Sequence, residues 1–136
     1  VGNINNVDYF NDSKATNIAA ARAAIQSFDN NLILILGGQD KGSTDFIQLS
    51  PAMKNRVKFI ITYGNAGPII KDQLDGEFSL LHCDQFEKAV FLAHEHSISG
   101  DTILLSPACS SFDQFLNYEE RGDKFTQIFT KLELGI

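Results

Sequence analysis

The chain has 136 residues, of which 43% are hydrophobic and 21% charged, a composition that fits one globular domain with its own core. Its net charge of −6 repels phosphate backbones and disfavours a nucleic-acid partner. No apolar run approaches the roughly 20 residues of a membrane helix, and the first residues carry no export signal. We therefore expect a cytoplasmic domain without a membrane partner. Because the chain begins with Val1, we expect a piece of a longer protein.

Apolar runs that predict strands alternate with helical patterns along the whole chain. Strands are predicted in "VDYF", "LILIL", "VKFIITYG", "FSLLHC" and "TILLSPA", and helices in "ATNIAAARAAIQSF", "AGPIIKDQL", "DQFEKAVFLAHEHS" and from Phe125 to Leu132. Asp84 and Glu87 have the spacing of a capping-box variant at the start of the third helix. The alternation predicts a single-domain, Rossmann-like α/β/α fold of three layers with an open, mostly parallel sheet.

The cysteines and histidines point to no catalytic or metal centre. Cys83 and Cys109 are too few for a disulfide framework, and their apolar neighbours predict buried thiols. A thiol hydrolase based on Cys109, with His82 as its base, is a distant alternative because no activating motif is present. His94 and His96 would lie about 200° apart around a helix axis and could not share an ion, so we expect solvated surface histidines and no metal site.

The second predicted strand ends in "GGQDKGSTD", which raises the possibility of a P-loop. A Walker A loop, G-x-x-x-x-G-K-[ST], needs its lysine directly after the second glycine. Here Ser43 follows Gly42, and Lys41 precedes it. The dinucleotide fingerprint G-x-G-x-x-G is also absent. A glycine turn between a strand and a helix is the simpler interpretation, although it leaves Lys41 unexplained.

Two further polar segments follow predicted strands: "NDSKATN" after the first and "SPACSSFDQF" after the fifth. Because parallel strands end at one edge of a sheet, we expect these loops and the glycine turn to meet there. Lys14 and Thr16, next to a helix N-terminus, would form a site for a carboxylate or a phosphate. The alternative is that Asp12, Ser13 or Thr16 only caps the helix.

Taken together, "NDSKATN", "LILGGQDKG" and "LLSPACSSFDQFLNYEERGDKF" resemble the C-terminal domain of the Mur ligases, in the same order and over nearly the whole chain. Within that family they resemble the branch that adds D-glutamate to UDP-N-acetylmuramoyl-L-alanine. The resemblance implies an ATP- and Mg²⁺-dependent ligase of peptidoglycan synthesis that works through an acyl phosphate. It also implies that residues 1–136 bind the amino acid, that N-terminal UDP-binding and central ATP-binding domains lie outside this chain, and that the fragment alone is inactive.

The resemblance also implies roles for individual residues. Those implied to bind D-glutamate are Lys14, Thr16, Lys41, Ser111 and Tyr118, and those implied to bind the nucleotide are Asp12 and Lys14. Tyr118 stands where the family pattern has phenylalanine. Two alternatives stay open: a related Mur or folylpolyglutamate-type ligase domain that binds another amino acid, and a stand-alone small-molecule-binding domain.

Overall fold

The computed structural model describes residues 1–40, 42 and 44–135, which form one six-stranded sheet between two layers of helices. The strands are β1 (Gly2–Ile4), β2 (Val7–Asn11), β3 (Leu32–Gly37), β4 (Val57–Tyr63), β5 (Leu80–Cys83) and β6 (Thr102–Ala108). The helices are α1 (Ile18–Gln26), α2 (Ser50–Met53, after a 3-10 turn at Phe46–Leu49), α3 (Gly67–Leu74), α4 (Phe86–His96) and α5 (Tyr118–Glu133). Only β1 pairs antiparallel, which confirms the predicted fold.

Strand β3 has no solvent-facing side, which is why its sequence lacks polar alternation. Ile33 and Ile35 enter the core that α4 and α5 cover, while Leu32, Leu34 and Leu36 enter the core under α1, α2 and α3. Full burial of one such side chain stabilises the fold by about 1.5–3 kcal/mol. The strand therefore anchors both cores and holds its carboxyl end in a fixed place.

The strand order, β1-β2-β6-β3-β4-β5, decides which loops can meet. From β3 the chain moves outward through β4 to β5, and after α4 it returns so that β6 lies between β2 and β3. The direction in which successive strands are added to the sheet thus reverses between β3 and β6. Open α/β sheets bind ligands beyond the carboxyl ends of the strands at such a switch point.

Two parts of the fold lie outside the predicted elements. Strand β1 joins β2 through a two-residue turn at Asn5 and Asn6, whose φ angles of 52° and 64° are those of a type I′ hairpin. The second part is the 3-10 turn and the one-turn helix α2 that follows it. Both elements are too short for their hydrophobic periodicity to be recognised.

The predicted capping box at the start of α4 is wrong. The helix begins at Phe86, so Gln85 holds the N-cap position, and its side chain makes no capping hydrogen bond. Asp84 lies one residue too early, and its side chain is 92% exposed. The Phe86 N–H instead donates to Oε1 of Gln114, at 3.0 Å, from a loop 28 residues away. The cap of α4 is therefore a tertiary contact.

Of the two α4 histidines, His96 is exposed as predicted, whereas His94 is not. His94 is half-buried, and its Nδ1 lies 2.6 Å from the hydroxyl of Tyr9. His96 is exposed, but its ring centroid lies 4.9 Å from that of Phe59. The last turn of α4 packs against the sheet, so both rings contact aromatic side chains.

Among residues 1–40, 42 and 44–135, none of the helices has the length and apolar character of a membrane span.

Candidate functional site

Three loops meet at the carboxyl edge of the sheet, as the sequence predicted. We call them the DSKATN loop (12–17), the glycine loop (38–45) and the serine loop (109–117). The N–H of Ala108, at the end of β6, donates to the carbonyl of Ala15 at 2.9 Å. The N–H of Gln39 donates to the carbonyl of Ser110, also at 2.9 Å. Hydrogen bonds thus join the end of β6 to the DSKATN loop, and the glycine loop to the serine loop.

The geometry of the glycine loop does not fit a P-loop. The N–H of Gly38 donates to the Tyr63 carbonyl at 3.3 Å, and that of Gln39 is engaged by Ser110. A P-loop uses such N–H groups to cradle phosphates, and here they are already bonded within the domain. Lys41 and Ser43 lie outside the described residues, so the predicted position of Lys41 at the site stays a prediction.

A buried arginine joins the DSKATN loop, the serine loop and the end of β4, and the sequence reasoning missed it. Arg121 of α5 is fully buried. Its Nε donates to Ser13 Oγ at 2.9 Å and its Nη2 to the Ser13 carbonyl at 2.7 Å. Its Nη1 donates to the Cys109 carbonyl at 3.1 Å and to the Tyr63 hydroxyl at 3.2 Å. In "EERGD" this residue is indistinguishable from the charges of an exposed helix face.

The Arg121 charge is hydrogen-bonded but not neutralised. It takes part in none of the ion pairs found among the described residues, and all its acceptors are neutral oxygens. Burial raises the pKa of the Tyr63 hydroxyl, and the neighbouring Arg121 charge only partly opposes that rise, so Tyr63 stays neutral. The Arg121 charge makes the local potential more positive, whereas the charges of Asp113 and Asp40, which also act on Tyr63 or Cys109, oppose it.

Glycine is required at position 38 for this arrangement. A Cβ built there would lie 2.2 Å from the Ser110 carbonyl oxygen and 3.1 Å from Nη1 of Arg121, and the residue has a φ of +123°. An L-side chain would therefore be strained in its backbone and would collide with the serine loop. Gly38, the second glycine of the "GGQDKG" motif, therefore has a packing role.

Helix α1 has its own cap, which leaves the polar residues before it free for another role. The side chain of Asn17 accepts from the N–H of Ala20 at 2.9 Å. The alternative that Asp12, Ser13 or Thr16 caps this helix is therefore wrong. Ser13 bridges Arg121 and the Tyr118 carbonyl instead, at 2.9 and 2.7 Å.

Four of the predicted site residues line one cleft of about 450 Å³ at the start of α1: Asp12, Lys14, Thr16 and Tyr118. Lys14 is exposed and takes part in no ion pair found within the described part of the chain. Tyr118, the first residue of α5, is 36% exposed. Asp12 is half-buried, and its Oδ2 accepts from Ser106 Oγ at 3.0 Å. A second cleft of about 410 Å³ shares Thr16 and extends to the glycine loop.

Ser111 does not line either cleft. It is 1% exposed, and its hydroxyl has no hydrogen-bond partner among the described residues. Its carbonyl accepts from the N–H groups of Gln114 and Phe115, so it begins a tight turn. An unsatisfied buried hydroxyl costs about 1–3 kcal/mol. A ligand oxygen that bonds to this hydroxyl would remove that cost.

Metal and thiol chemistry find no support at this edge. No cluster of three or more histidine, cysteine, aspartate or glutamate side chains within the described residues could hold a metal ion. Both cysteines are free and buried, as predicted. Burial raises the pKa of Cys109 to about 12, so it remains a neutral thiol at ordinary pH. The proposed base, His82, has its Nδ1 2.9 Å from Thr62 Oγ1. A neutral Cys109 thiol is a poor nucleophile, which argues against a thiol hydrolase.

The fold and the site define an α/β domain with Lys14, Thr16, Tyr118 and Asp12 around one cleft at the carboxyl edge of its sheet. A family model described as the Mur ligase, glutamate ligase domain, matches residues 1–109. The chain belongs to this family.

Known relatives agree with this assignment. The chain is 48% identical over 128 residues to a UDP-N-acetylmuramoylalanine--D-glutamate ligase of Acidobacterium capsulatum, a match that covers 94% of the chain and 28% of the relative. The ligases of the same name from Hahella chejuensis and Aquifex aeolicus are 49% and 45% identical, over 89% and 94% of the chain and 28% and 31% of the relatives. The chain thus spans less than a third of the length of these relatives.

A solved structure shows the same fold. It is a domain from Haemophilus ducreyi described as part of a UDP-N-acetylmuramate:L-alanyl-gamma-D-glutamyl-medo-diaminopimelate ligase. It superimposes with a TM-score of 0.60 at 14% identity, over 98% of this chain and 94% of that domain. At this identity the likeness concerns the fold alone.

Proposed function

We propose that this chain is the amino-acid-binding domain of an ATP-dependent ligase that adds D-glutamate to UDP-N-acetylmuramoyl-L-alanine. The names of the relatives at 45–49% identity support this function. The observation that carries the proposal is the buried hydroxyl of Ser111, which has no partner among the described residues and lies two residues after the Cys109 carbonyl that accepts from Arg121. Such a place favours a ligand with carboxylate oxygens.

In the proposed complex, D-glutamate lies between the DSKATN loop and the serine loop. Thr16 and Lys14 line the cleft. The family resemblance assigns a second contact to the hydroxyl of Ser111, which is buried and lines neither cleft in this structure. A net-acidic domain can hold a dicarboxylate only through such local donors. The domain contributes by presenting the amine of D-glutamate in a fixed position, which is a proximity effect.

We propose that ATP and Mg²⁺ are held mainly by a central domain outside this chain, and the UDP group by an N-terminal one. The N–H groups of Gly38 and Gln39 are bonded within the domain, and no acidic cluster within the described residues suits a metal. Asp12 keeps Oδ1 available after its contact with Ser106, and an available carboxylate oxygen suits a ribose hydroxyl. In this proposal phosphoryl transfer depends on residues elsewhere, so the fragment alone forms no amide bond.

The test is steady-state kinetics of the full-length ligase that carries this chain. Ser111→Ala and Lys41→Ala should each raise the KM for D-glutamate by about tenfold or more, the effect of losing a hydrogen bond or an ion pair to a charged ligand. The KM for ATP should stay within about twofold, because these residues contact only the amino acid in the proposed complex. Equal increases in both KM values would contradict the proposed role of the site.

A panel of amino acids separates the proposal from its alternatives. Turnover with D-glutamate but not with L-glutamate or L-lysine supports the D-glutamate ligase. Turnover with another amino acid favours a related Mur or folylpolyglutamate-type ligase. Binding of D-glutamate without ATP hydrolysis in any full-length form favours a stand-alone binding domain.

A further inference from the structure

The turn that carries Ser111 is held by the side chain of Gln114. The Oε1 of Gln114 accepts from the N–H of Phe86 at 3.0 Å, and its Nε2 donates to the Asp84 carbonyl at 2.7 Å. Both ends of one amide group are thus bonded to the backbone between β5 and α4. The acceptor end also supplies the cap that the sequence of α4 lacks.

The preceding residue binds the adjacent loop of the sheet. Asp113 Oδ2 accepts from the N–H of Asn65 at 3.0 Å, directly after β4. The Asp84 carbonyl that Gln114 contacts also accepts from the N–H of Gly64, at 3.2 Å. The ends of β4 and β5 and the serine loop therefore form one hydrogen-bonded network. Gly64 has room only for a hydrogen, since a Cβ there would lie 2.3 Å from Asp113 Oδ2.

The same turn leaves the Ser111 hydroxyl unpartnered. Its backbone is held by the bonds of Gln114 N–H and Phe115 N–H to the Ser111 carbonyl, at 3.2 and 2.8 Å. The ring of Phe115 packs edge-on against Phe86, with centroids 5.3 Å apart. Gln114 and Phe115 thus both dock the turn on the first residue of α4, while Ser111 at its start keeps a free hydroxyl.

We propose that Gln114 is a positioning residue for the amino-acid substrate. By fixing residues 111–115 to the start of α4, it sets the place of the Ser111 hydroxyl without touching the ligand. This inference rests on the proposed function, in which Ser111 contacts a carboxylate of the amino acid. It goes beyond that function because Gln114 acts through the backbone of the serine loop.

The experiment is a double-mutant cycle in the full-length ligase that carries this chain. Gln114→Ala should raise the KM for D-glutamate by about tenfold, the effect of one lost hydrogen bond to the substrate, and leave the KM for ATP within about twofold. In a Ser111→Ala background, Gln114→Ala should raise the KM for D-glutamate no further, because the contact that it positions is already gone.

Two further variants distinguish a specific effect on Ser111 from misfolding and from a general structural effect. Gln114→Glu keeps an acceptor for the Phe86 N–H but places a carboxylate oxygen against the Asp84 carbonyl, so it should raise the KM for D-glutamate in a way that also disappears with Ser111→Ala. Gln73 is a matched control because its amide clamps the glycine loop in the same two-ended way, through Phe46 N–H and the Thr44 carbonyl. The effect of Gln73→Ala should multiply with that of Ser111→Ala.

The outcomes separate the two proposals. If Ser111→Ala raises the KM for D-glutamate but the Gln114 variants do not, the role of Gln114 is overturned and the proposed function stands. Independent, multiplying effects of Gln114 and Ser111 would also overturn it, because they would show a general structural role. If Ser111→Ala itself leaves the KM unchanged, the assignment of Ser111 to the substrate is wrong.

Discussion

The two edges of the sheet differ in whether a buried charge has an ion-pair partner. At the amino edge, Lys58 Nζ lies 2.6 Å from Oδ2 of Asp101, which is 3% exposed and also accepts from the Ile98 N–H. At the carboxyl edge, Arg121 is fully buried and bonded only to neutral oxygens. One edge pairs its charges, whereas the other keeps a cation unneutralised.

The difference concerns how each edge compensates a buried charge. A buried charge loses its hydration, and an acidic partner would restore part of that loss while cancelling the field outside. Arg121 keeps its field because its partners are carbonyl and hydroxyl groups. The amino edge needs no such field and neutralises Lys58 directly. The carboxyl edge therefore keeps the Arg121 charge without an ion-pair partner among the described residues, whereas the amino edge pairs Lys58 with Asp101.

The largest expected effect comes from removing the cations at the two edges. Arg121→Met should lower the free energy of unfolding by about 4 kcal/mol, because several buried acceptors lose their donor. Lys58→Met should cost about 1–2 kcal/mol, since Asp101 keeps one N–H donor and Lys58 is already partly exposed. Urea unfolding of the 136-residue chain measures both changes.

A surface arginine provides the control for this pair. Arg22 is half-buried and makes one long hydrogen bond, to the Gln48 carbonyl at 3.5 Å. Arg22→Met should change the free energy of unfolding by less than about 0.5 kcal/mol, the range for surface substitutions. A loss for Arg121→Met no larger than that for Lys58→Met would contradict the proposed difference between the edges.

An intermediate effect is expected from alkaline pH, because each half of the sheet buries an acidic group. Burial raises the pKa of Cys109, at the carboxyl edge, from 9.0 to about 12. Burial also raises the pKa of Tyr9, near the amino edge, from 10.0 to about 12. Above pH 9 the unfolded chain releases these protons first, so stability falls as pH rises towards 12.

Titration of the unfolding free energy with pH tests this expectation. Each group should contribute a slope of about 1.4 kcal/mol per pH unit within its own window. Cys109→Ala should reduce the fall between pH 9 and 10, and the fall that remains there belongs to Cys83, whose pKa burial also raises above 9.0. An unchanged fall in that interval would show that Cys109 is not the group responsible.

The smallest expected effect compares two buried tyrosine hydroxyls. Tyr63→Phe removes an acceptor from the Arg121 guanidinium and should cost about 2 kcal/mol, the range for a bond to a charged group. Tyr9→Phe removes the bond to the His94 ring and should cost about 1 kcal/mol, the range for an ordinary hydrogen bond. Equal losses in thermal or urea unfolding would remove the distinction between a guanidinium partner and an imidazole partner.

Much of the fold could be predicted from the sequence because its strands are continuous apolar runs. The order and type of the main elements follow from runs such as "LILIL" and from helical periodicity. Strand β1 is short and half polar, so only the Asn5-Asn6 turn could have indicated it. The cap of α4 was predicted wrongly because its true partner, Gln114, is distant in sequence.

The candidate site was predictable in its loops but not in its supports. The hydroxyls and lysines after strands indicated a ligand edge, and the structure places Asp12, Lys14, Thr16 and Tyr118 around one cleft. Arg121 and Gln114 could not be found in the same way. Their residue types are common on helix surfaces and in loops, and their roles depend on burial and on partners that only the folded chain brings together.

The central position of strand β6 affects how the domain folds during synthesis on the ribosome. It is the last strand to be synthesised, yet it lies in the middle of the sheet between β2 and β3. Until residues 102–108 have left the ribosome, β2 has no parallel neighbour and the DSKATN loop has nothing to lie against. Contacts between such distant segments also slow folding. A nascent chain that stops before β6 therefore has strands but no binding edge.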